Sequence, residues 1–402
     1  MPEKNDERLK KIHTSPKKKH TRYVEKLTKK LKENIQGIKS VLSAQDILVY
    51  EFQAGDGTDC AIVYTDGMTN KQLLGDLAAR PLASLVPSDE KTGFTLDEIK
   101  GALLFPELKE ETEPEKFFAE VLDGNSLLLV DGIDTGLIVG AKMLPVRAVA
   151  EPPTDIAIKG PREGFIEDIK TNMVLLRKRL KTSELKFELQ KAGRRSQTNI
   201  AVCYLDGIVD KKVAEEVIDR IKEIDIDCIP DSSYVAAFIA PRKHSIFREI
   251  GTTEKPDILA AKLAEGRVGI LVDGSPIALT APFILTEDFQ SSEDYFVSPF
   301  MATIFRAIRF VAVIIALLLP AFYVTAQLFK MQLIPLGLML NIASSVQGLP
   351  LSPSLEMFLV LLVLEVLKEA SVRMPKYVGM ALSIVGALVL GEAAVSAGFV
   401  ST

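Results

Sequence analysis

Apolar and polar positions are distributed differently in the two parts of the chain. Before Phe310, short apolar runs alternate with charged segments, whereas Phe310–Phe329 contains 20 residues without a charge. At about 1.5 Å of rise per residue, a helix of this length measures about 30 Å, the thickness of a bilayer's hydrocarbon core. A buried helix of a soluble domain is usually shorter and interrupted by polar residues. The pattern therefore predicts a soluble head followed by a membrane span.

The apolar runs of the head occur twice in the same order. AIVYTDGMTN at Ala61–Asn70 resembles AVCYLDGIVD at Ala201–Asp210, and LDGNSLLLVDG at Leu122–Gly132 resembles AEGRVGILVDG at Ala264–Gly274. The separation between the two members is almost the same in both pairs. Two matches at nearly one separation predict a duplication.

Each copy shows the same succession of predicted elements: two strands, helical stretches, and a final pair of strands around an Asp-Gly turn. In the first copy we predict strands at Ile47–Phe52, Cys60–Thr65, Leu127–Val130 and Leu137–Ala141, with helices at Asn70–Ala79 and Glu115–Leu122. In the second we predict strands at Leu185–Leu189, Asn199–Leu205, Val268–Val272 and Ile277–Ala281, with helices at Asp210–Glu223 and Pro256–Ala264.

The expected fold class is an α/β soluble head of two similar subdomains followed by an α-helical transmembrane domain. The expected segments are a basic tail with a helix at Tyr23–Val41 (1–42), the first α/β subdomain (43–150), a proline-containing linker (151–161), the second α/β subdomain (162–290) and the membrane domain (291–402).

Composition narrows the function. The net charge of −5 gives the whole chain no nucleic-acid signature, although the segment Met1–Ser40 holds 13 Lys or Arg against 5 acids. That tail is a solvated arm that favours an anionic membrane surface, with a nucleic-acid arm as the alternative. Three cysteines and three histidines are too scattered for a metal site. The start has no apolar signal segment, so we expect a cytoplasmic head.

Four Asp-Gly pairs offer carboxylates for catalysis, at Asp66, Asp131, Asp206 and Asp273. Asp-Gly after an apolar strand is also ordinary turn chemistry. Their repetition in both copies favours turns, and no nucleophile, base or phosphate-binding loop accompanies them. We therefore expect no catalytic residues, no cofactor and no enzymatic activity.

Two basic segments of the second copy attract attention. Lys159–Arg179 predicts an amphipathic helix entered after Pro161, with three basic residues at its C-terminal end, where they suit the helix dipole. Gly193–Ser196 places Arg194 and Arg195 in a turn between strands. This turn is either a site for an anion or a partner, or a solvated hairpin.

Small and polar residues form a stripe on one face of the segment after the span. The stripe consists of Gly337, Asn341, Ser344, Ser345 and Gly348. In a membrane such a stripe either packs against another helix or faces water. Glu356, Glu365 and Glu392 follow within apolar sequence, and Tyr377–Val400 reads as a second full span.

The orientation of the spans follows from their flanking basic residues. The positive-inside rule places Arg306 and Arg309, and later Lys368, Arg373 and Lys376, in the cytoplasm. The segment between either spans the membrane or re-enters it.

Several motifs resemble one family. They are KGPREGFIEDIKTNMVLLRKR, GRRSQT, IKEIDID, EKPD, EGRVGILVDGSP, SSEDYF, KEASVRMPKYVG and SIVGALVLGEAAVSAGFVS. The chain resembles the A subunits of GerA-type spore germinant receptors over about Glu151 to the end, with the first subdomain alike in layout. The resemblance implies a multi-pass protein of the spore inner membrane with a cytoplasmic two-lobed head. It also implies partners: a homo-oligomer that forms the germination ion channel, a transporter-like B subunit, a lipoprotein C subunit and membrane lipids.

We derive two sets of candidate residues. The pore-lining candidates are Asn341, Ser344, Ser345, Gln347 and Glu365, and the partner or subunit contact candidates are Arg162, Glu163, Arg194, Arg195 and Arg373. Gln347 and Leu336 depart from the Arg and Thr usual in the family, and family members continue beyond the position of Thr402, so a truncated chain is expected. The alternative function is a membrane-anchored ligand-binding or signalling head whose spans serve only as an anchor.

Overall fold

The computed structural model describes residues 26–87, 94–143, 160–242, 245, 247–329, 336, 337, 340, 351–373, 388 and 392. The chain divides into two units, Met1–Phe296 and Val297–Thr402. The first unit contains two five-stranded antiparallel sheets, each with helices on both faces. We call the two sheets with their helices lobe 1 and lobe 2.

Lobe 1 runs from its first helix to its fifth strand. Its elements are α1 (Leu31–Val41), β1 (Ile47–Gln53), β2 (Asp59–Thr65), α2 (Lys71–Leu74), a π-helical turn (Gly75–Ala79), α3 (Arg80–Ala83), α4 (Leu96–Ala102), β3 (Leu108–Glu111), α5 (Pro114–Leu122), β4 (Ser126–Val130) and β5 (Gly136–Val139). The strand order is β1-β2-β4-β5-β3.

Lobe 2 repeats this succession. Its elements are α6 (Ile169–Arg179), β6 (Leu185–Ala192), β7 (Thr198–Leu205), α7 (Lys211–Lys222), α8 (Ser232–Ile239), β8 (Gly251–Thr253), α9 (Pro256–Ala264), β9 (Val268–Val272) and β10 (Ala278–Ala281). The strand order is β6-β7-β9-β10-β8, which is the order of lobe 1 carried over strand by strand. Tyr64 and Tyr204 lie in the equivalent strands β2 and β7. The predicted pair of similar α/β subdomains is confirmed.

Both faces of each sheet are covered, which explains the apolar runs in the sequence. In β2, Ala61 and Val63 pack with α1 and α5, whereas Cys60 and Ile62 pack with α2, α3 and α4. All five residues of β4 are buried, and so are all five of β9. Strands buried on both faces lose the alternation of apolar and polar residues that marks a half-exposed strand. Helix α1, assigned to the tail from sequence, contributes Leu31 and Ile38 to the core of lobe 1.

An Asp-Gly turn between the fourth and fifth strands holds the first helix of each lobe. The carboxylate of Asp131 accepts a hydrogen bond from the backbone N–H of Leu31 (2.8 Å), and that of Asp273 accepts one from Ile169 (3.4 Å). The N–H of the glycine that follows donates to the backbone carbonyl of Lys29 in lobe 1 (2.7 Å) and to that of Glu167 in lobe 2 (2.8 Å). The bonds donated by Leu31 and Ile169 satisfy N–H groups that a helix start otherwise leaves unpaired.

A buried asparagine repeats in the same helices. Asn34 bonds both backbone groups of Thr28, and Asn172 bonds both backbone groups of Ile166. Each amide therefore fixes the strand-like segment that leads into its helix. Because the two pairs have the same spacing, α1 and α6 are equivalent, with Asn34 at the position of Asn172.

Two predicted helices begin later than expected. The helix predicted from Pro161 starts at Ile169, because the Asp168 carboxylate accepts the N–H of Thr171 (2.8 Å) as a cap. Before it, Phe165 donates its N–H to the backbone carbonyl of Glu254 (2.7 Å) instead of to a helical partner. The helix predicted at Tyr23–Val41 starts at Leu31, and residues 26–30 precede it without helical structure. The sequence patterns missed α3, α4, α8, β3 and β8, which are short.

The four Asp-Gly pairs form turns, as predicted. Their glycines Gly67, Gly132, Gly207 and Gly274 all have φ between 79° and 89°, a region that side chains with a Cβ resist. The turn interpretation of these pairs is confirmed.

The second unit contains two described long helices. They are α10 (Pro299–Phe329), which has Pro320 inside it, and α11 (Pro353–Arg373). In the described part of the chain, α10 alone is long and apolar enough to cross a membrane, with a mean hydropathy of 2.4 and an apolar stretch left unburied. This covers the predicted span Phe310–Phe329.

Replacing Gly274 by Val tests the turn that docks α6. No atom lies within 4 Å of the added Cβ, so the cost comes from the backbone conformation at φ 83°. We expect the free energy of unfolding of the purified chain to fall by about 1–2 kcal/mol or more, measured by chemical denaturation. The control is Gly101→Val in α4, where the new Cβ also meets nothing and the helical backbone accepts it. Equal stability of both variants would contradict the turn assignment.

Candidate functional site

The two lobes meet around a buried ion pair. Arg177, on the last turn of α6 in lobe 2, is 1% exposed, and Asp46, between α1 and β1 in lobe 1, is 4% exposed. The guanidinium Nε lies 3.0 Å from one carboxylate oxygen, and Nη2 lies 2.8 Å from both. This is a two-pronged pairing that a lysine ammonium does not reproduce.

The remaining donors of Arg177 are satisfied inside lobe 2. Nη1 donates to the carbonyl of Thr182 (2.9 Å) and Nη2 to that of Leu185 (3.2 Å), and the guanidinium lies 5.2 Å from the ring centre of Phe187. Each guanidinium nitrogen therefore has a hydrogen-bond partner. The buried positive charge of Arg177 is nevertheless compensated only while the Asp46 carboxylate lies opposite it. The pair therefore makes the relative placement of the lobes specific.

Further acid–base contacts surround this pair. Asp66 binds Lys71 of its own lobe (2.7 Å) and Lys170 of lobe 2 (3.2 Å), and Asp123 binds Lys142 of its own lobe (2.7 Å) and Lys181 of lobe 2. Burial raises the pKa of Asp66 and of Asp123, but the neighbouring ammonium groups outweigh it and hold both pKa values below the usual range. At this junction lobe 1 thus contributes acidic side chains, and lobe 2 contributes basic ones.

Close packing adds to the charge contacts. A Cβ placed on Gly67 would lie 2.8 Å from the side chain of Val174 on α6, so the Asp66–Gly67 turn approaches α6 more closely than a larger residue permits. The loop after α1 reaches strand β6, where Lys186 donates to the Ser43 hydroxyl (2.7 Å) and the N–H of Leu189 donates to the Gln45 side chain (2.7 Å).

A cleft of about 620 Å³ opens beside this loop. Its walls come from Ser43 and Gln45 of lobe 1 and from β6, β7 and α7 of lobe 2, with charged side chains of both signs: Lys186, Glu188, Asp206, Lys211, Glu215, Asp219 and Lys222. The Tyr204 hydroxyl donates to Glu188 (2.5 Å), and burial together with this bond raises the pKa of Tyr204. The cleft suits a small polar ligand that carries both charges.

The predicted partner-contact residues lie apart from this junction or have partners in lobe 2. Glu163 binds Lys178 (3.1 Å) and Arg179 (2.8 Å), and these cations outweigh its burial and lower its pKa. Helix α6 therefore uses its last three basic residues, Arg177 included, for specific pairs as well as for its dipole. Arg162 is exposed.

The basic turn at Gly193 is joined to the loop after α7. Arg194 forms a two-pronged pair with Asp225 (2.5 Å for both bonds), and Arg195 lies 3.8 Å from Asp227. Backbone N–H groups of the turn also donate to carbonyls of that loop. An anion or partner at this turn would have to compete with these acids.

Most predicted pore residues lie outside the described residues, namely Asn341, Ser344, Ser345 and Gln347. Glu365 is described on α11, with Lys368 at 3.4 Å one helical turn later. Arg373 ends the same helix. Glu356 is buried although Glu365 is exposed, so these two of the three acids of α11 have different surroundings.

The sequence patterns did not identify Asp46, and they related Arg177 only to the dipole of its helix. Asp46 stands alone in a loop, so no spacing pattern marks it, and its partner lies 131 residues away. The duplication contains one signal for this site. Arg177 occupies the position that Lys39 occupies in α1, and the buried position is the one of the two that has arginine in place of lysine.

The protein therefore belongs to the class that combines a head of two duplicated α/β lobes with a long, exposed apolar helix. The chain belongs to the family described as Bacillus/Clostridium GerA spore germination protein, which matches residues 30–402. It is 37% identical to spore germination protein KA of Bacillus subtilis, over 90% of this chain and 67% of that one. It is 36% identical to the uncharacterized membrane protein YfkQ of B. subtilis, over 92% and 72%.

A solved structure supports the fold of the head. The crystal structure of the N-terminal domain of the A subunit of the Bacillus megaterium spore germinant receptor GerK3 resembles this chain with a TM-score of 0.51 and 31% identity. The similarity covers 66% of this chain and 99% of that domain. The family identified from the sequence motifs is confirmed.

A mutant cycle tests the buried pair. Asp46→Leu leaves the Arg177 charge unpaired, so we expect a loss of about 3–5 kcal/mol in unfolding free energy, and Arg177→Met should cost a similar amount. The double variant should recover much of the loss, because it removes both charges. Denaturation of the purified chain measures all three.

The control for this cycle is the exposed pair Lys30–Glu33 (2.8 Å), whose removal should change little because water screens it. Additive losses in the Asp46/Arg177 double variant would show that the pair does not couple the lobes.

Proposed function

We propose that this chain is the A subunit of a nutrient germinant receptor in the spore inner membrane, and that it oligomerises to form or gate an ion channel that triggers germination. The observation that carries the proposal is the family match over residues 30–402, since it covers both the duplicated head and the apolar sequence after it. The partners are a transporter-like B subunit and a lipoprotein C subunit. The role is non-enzymatic, and the head is cytoplasmic.

The outer surface of α10 supports membrane insertion. Apolar side chains cover it and are exposed, among them Leu317 (76%) and Phe322 (61%). Its 31 residues measure about 46 Å, more than a hydrocarbon core requires. Arg306 and Arg309 precede the uncharged stretch and orient it with the head on the cytoplasmic side. The multi-pass topology adds spans from the apolar sequence that follows.

The polar stripe after α10 supports a pore. An amide and hydroxyls facing lipid would cost several kcal/mol unless they meet another helix or water. Asn341 is larger than a close helix contact favours, whereas its amide suits a hydrated ion. We place Asn341 and Ser345 toward the water of the pore, with Ser344 and Gln347 nearby. Glu365 lies toward the cytoplasmic mouth, partly neutralised by Lys368.

The cleft favours a second candidate function, a membrane-anchored ligand-binding or signalling head. Its volume of about 620 Å³ and its charged walls from both lobes fit a small polar ligand. In that case the spans serve only as an anchor. The acids and the polar stripe within the apolar sequence favour the channel, because an anchor does not need them.

Conductance distinguishes the two functions. We expect liposomes that carry the purified chain with its B and C subunits to pass ions when the nutrient is added. Liposomes with the B and C subunits alone are the control. If ion flux is the same with and without this chain, it is not the conducting subunit, and the anchored head becomes the better proposal.

Cysteine labelling tests the pore face. Cys228 is exposed and is first replaced by Ser, while burial raises the pKa of Cys60 and Cys203 to about 12 and keeps them unreactive. Single cysteines are then placed at Leu338, Asn341, Ile342, Ser345 and Val346 and exposed to a water-soluble thiol reagent. We expect block of conductance at 341 and 345 only. Equal labelling at all five positions, or at none, would leave the stripe as a packing face.

A further inference from the structure

The contact between the two lobes joins different surfaces. Lobe 1 contributes an acidic surface, which we define as Asp46, Asp66 and Asp123. Lobe 2 contributes a basic surface, which we define as Lys170, Arg177 and Lys181. A contact of this kind is heterologous, so lobe 1 retains a basic surface and lobe 2 an acidic surface that the contact within the chain does not pair.

The duplication identifies these other surfaces residue by residue. Asp46 corresponds to Glu184, because each accepts, through its carbonyl, the N–H of the aspartate of the next Asp-Gly turn (2.7 and 2.8 Å). That aspartate is Asp66 in lobe 1 and Asp206 in lobe 2. Asp123, which precedes a glycine of positive φ after α5, corresponds to Glu265 after α9. All three acidic positions of lobe 1 are therefore acidic in lobe 2.

The basic positions also recur. When α1 is aligned on α6 through their buried asparagines, Lys170 corresponds to Lys32 and Arg177 to Lys39. The third position, Lys181, corresponds to Ser43. Lobe 1 thus repeats two of the three cations on the face of α1 that the chain's own lobe contact does not cover.

These repeated charges lie at the surface of the head. Lys32, Lys39 and Glu265 are exposed, while Glu184 and Asp206 are partly exposed. Asp206 has Lys211 at 3.9 Å, just as Asp66 has Lys71 at 2.7 Å. In lobe 1 the aspartate binds a second cation from the neighbouring lobe.

An exposed apolar side chain adds to this acidic face. Ile208, two residues after Asp206, is 49% exposed, whereas Met68 at the equivalent position of lobe 1 is 1% exposed. The acidic face of lobe 2 therefore combines three acids with an apolar contact.

We propose that a second copy of this chain docks on this face, with Glu184, Asp206 and Glu265 of one subunit against Lys32 and Lys39 of the next. The inference rests on the proposed oligomeric function and specifies its head contact: subunits associate head to tail by repeating the contact that joins the two lobes within each chain. A face-to-face dimer would oppose acids to acids. A head-to-tail contact closes into a ring when its rotation permits, and membrane spans keep the subunits in one plane.

The contact between subunits is weaker than the one within the chain. Lys39 replaces the two-pronged Arg177 and already lies 3.8 Å from Glu51, and Gln36 replaces the buried Val174. An ammonium binds a carboxylate with less directional force than a guanidinium. A charged surface of this kind remains compatible with water before the subunits associate. It suits an association in which the membrane domains supply further contacts.

Crosslinking between copies tests this contact. Two differently tagged forms of the full chain, both with Cys228→Ser, carry Lys39→Cys and Glu184→Cys respectively and are reconstituted together in liposomes. A short bismaleimide should join unlike copies, and neither form should crosslink to itself. The control replaces Glu184→Cys by Arg195→Cys, at the opposite end of the β6–β7 ladder, and should give no product. Absence of the 39–184 product, or equal 39–39 product, would overturn the proposal.

Reversing the charges of the proposed contact provides a second test. In the untagged chain Lys39→Glu, or Glu265→Arg with Glu184→Arg, should lower the oligomer fraction about tenfold or more, because like charges then face each other. Combining the changes should restore it. Circular dichroism checks that each variant is folded, and a folded variant with an unchanged oligomer fraction would refute the contact. Crosslinking does not depend on conductance, so ion flux without the 39–184 product would reject this contact and leave the channel proposal standing.

Discussion

The carboxylate of Asp46 and the guanidinium of Arg177 face each other almost entirely out of water, and the placement of the two lobes depends on them. Removing a charge from water costs several kcal/mol, which only a partner in the right position compensates. A displacement of one lobe against the other would leave a bare charge in the interior. The pair therefore acts less as a source of stability than as a condition on geometry, which the surrounding contacts of Asp66, Asp123 and Gly67 reinforce.

Each lobe also contains one internal constraint of this kind, made of hydrogen bonds to the backbone. A helix start, an asparagine and an Asp-Gly turn hold one another through Asn34 and Asp131 in lobe 1 and through Asn172 and Asp273 in lobe 2. Two of the four carboxylates that look catalytic in the sequence, those of Asp131 and Asp273, thus accept hydrogen bonds from the backbone, and the other two pair with lysines. Because this arrangement repeats, α1 and its turn have equivalents in α6 and its turn, and the inferred contact between subunits follows from these equivalences.

The surfaces of the head and of α10 differ in polarity. In the head, charged side chains cover the surface and pair across the lobe junction, whereas α10 exposes leucine and phenylalanine along its length. Water disfavours an apolar surface of this kind, and the length and composition of α10 are those of a helix able to cross a membrane. Membership of the GerA family joins the two: it relates a duplicated polar head and an apolar helical region to spore germination.

The sequence by itself determined the duplication, the strands and longer helices of both lobes, the four turns and the long apolar helix. These features depend on local periodicity and on turn residues, which act over a few positions. It did not locate the start of α1, because the group that caps Leu31 is Asp131, a hundred residues away. Short elements such as β8 and α8 also escaped, since three to eight residues carry little periodicity.

The lobe junction was decided by the tertiary structure alone. Asp46 and Arg177 are unremarkable where they stand in the sequence, and their burial arises only when two folded lobes bring them together. Charge patterns along a chain show which residues are ionised, but not which of them leave water. That choice belongs to packing, because only the folded arrangement supplies the low-dielectric surroundings that make one ion pair specific.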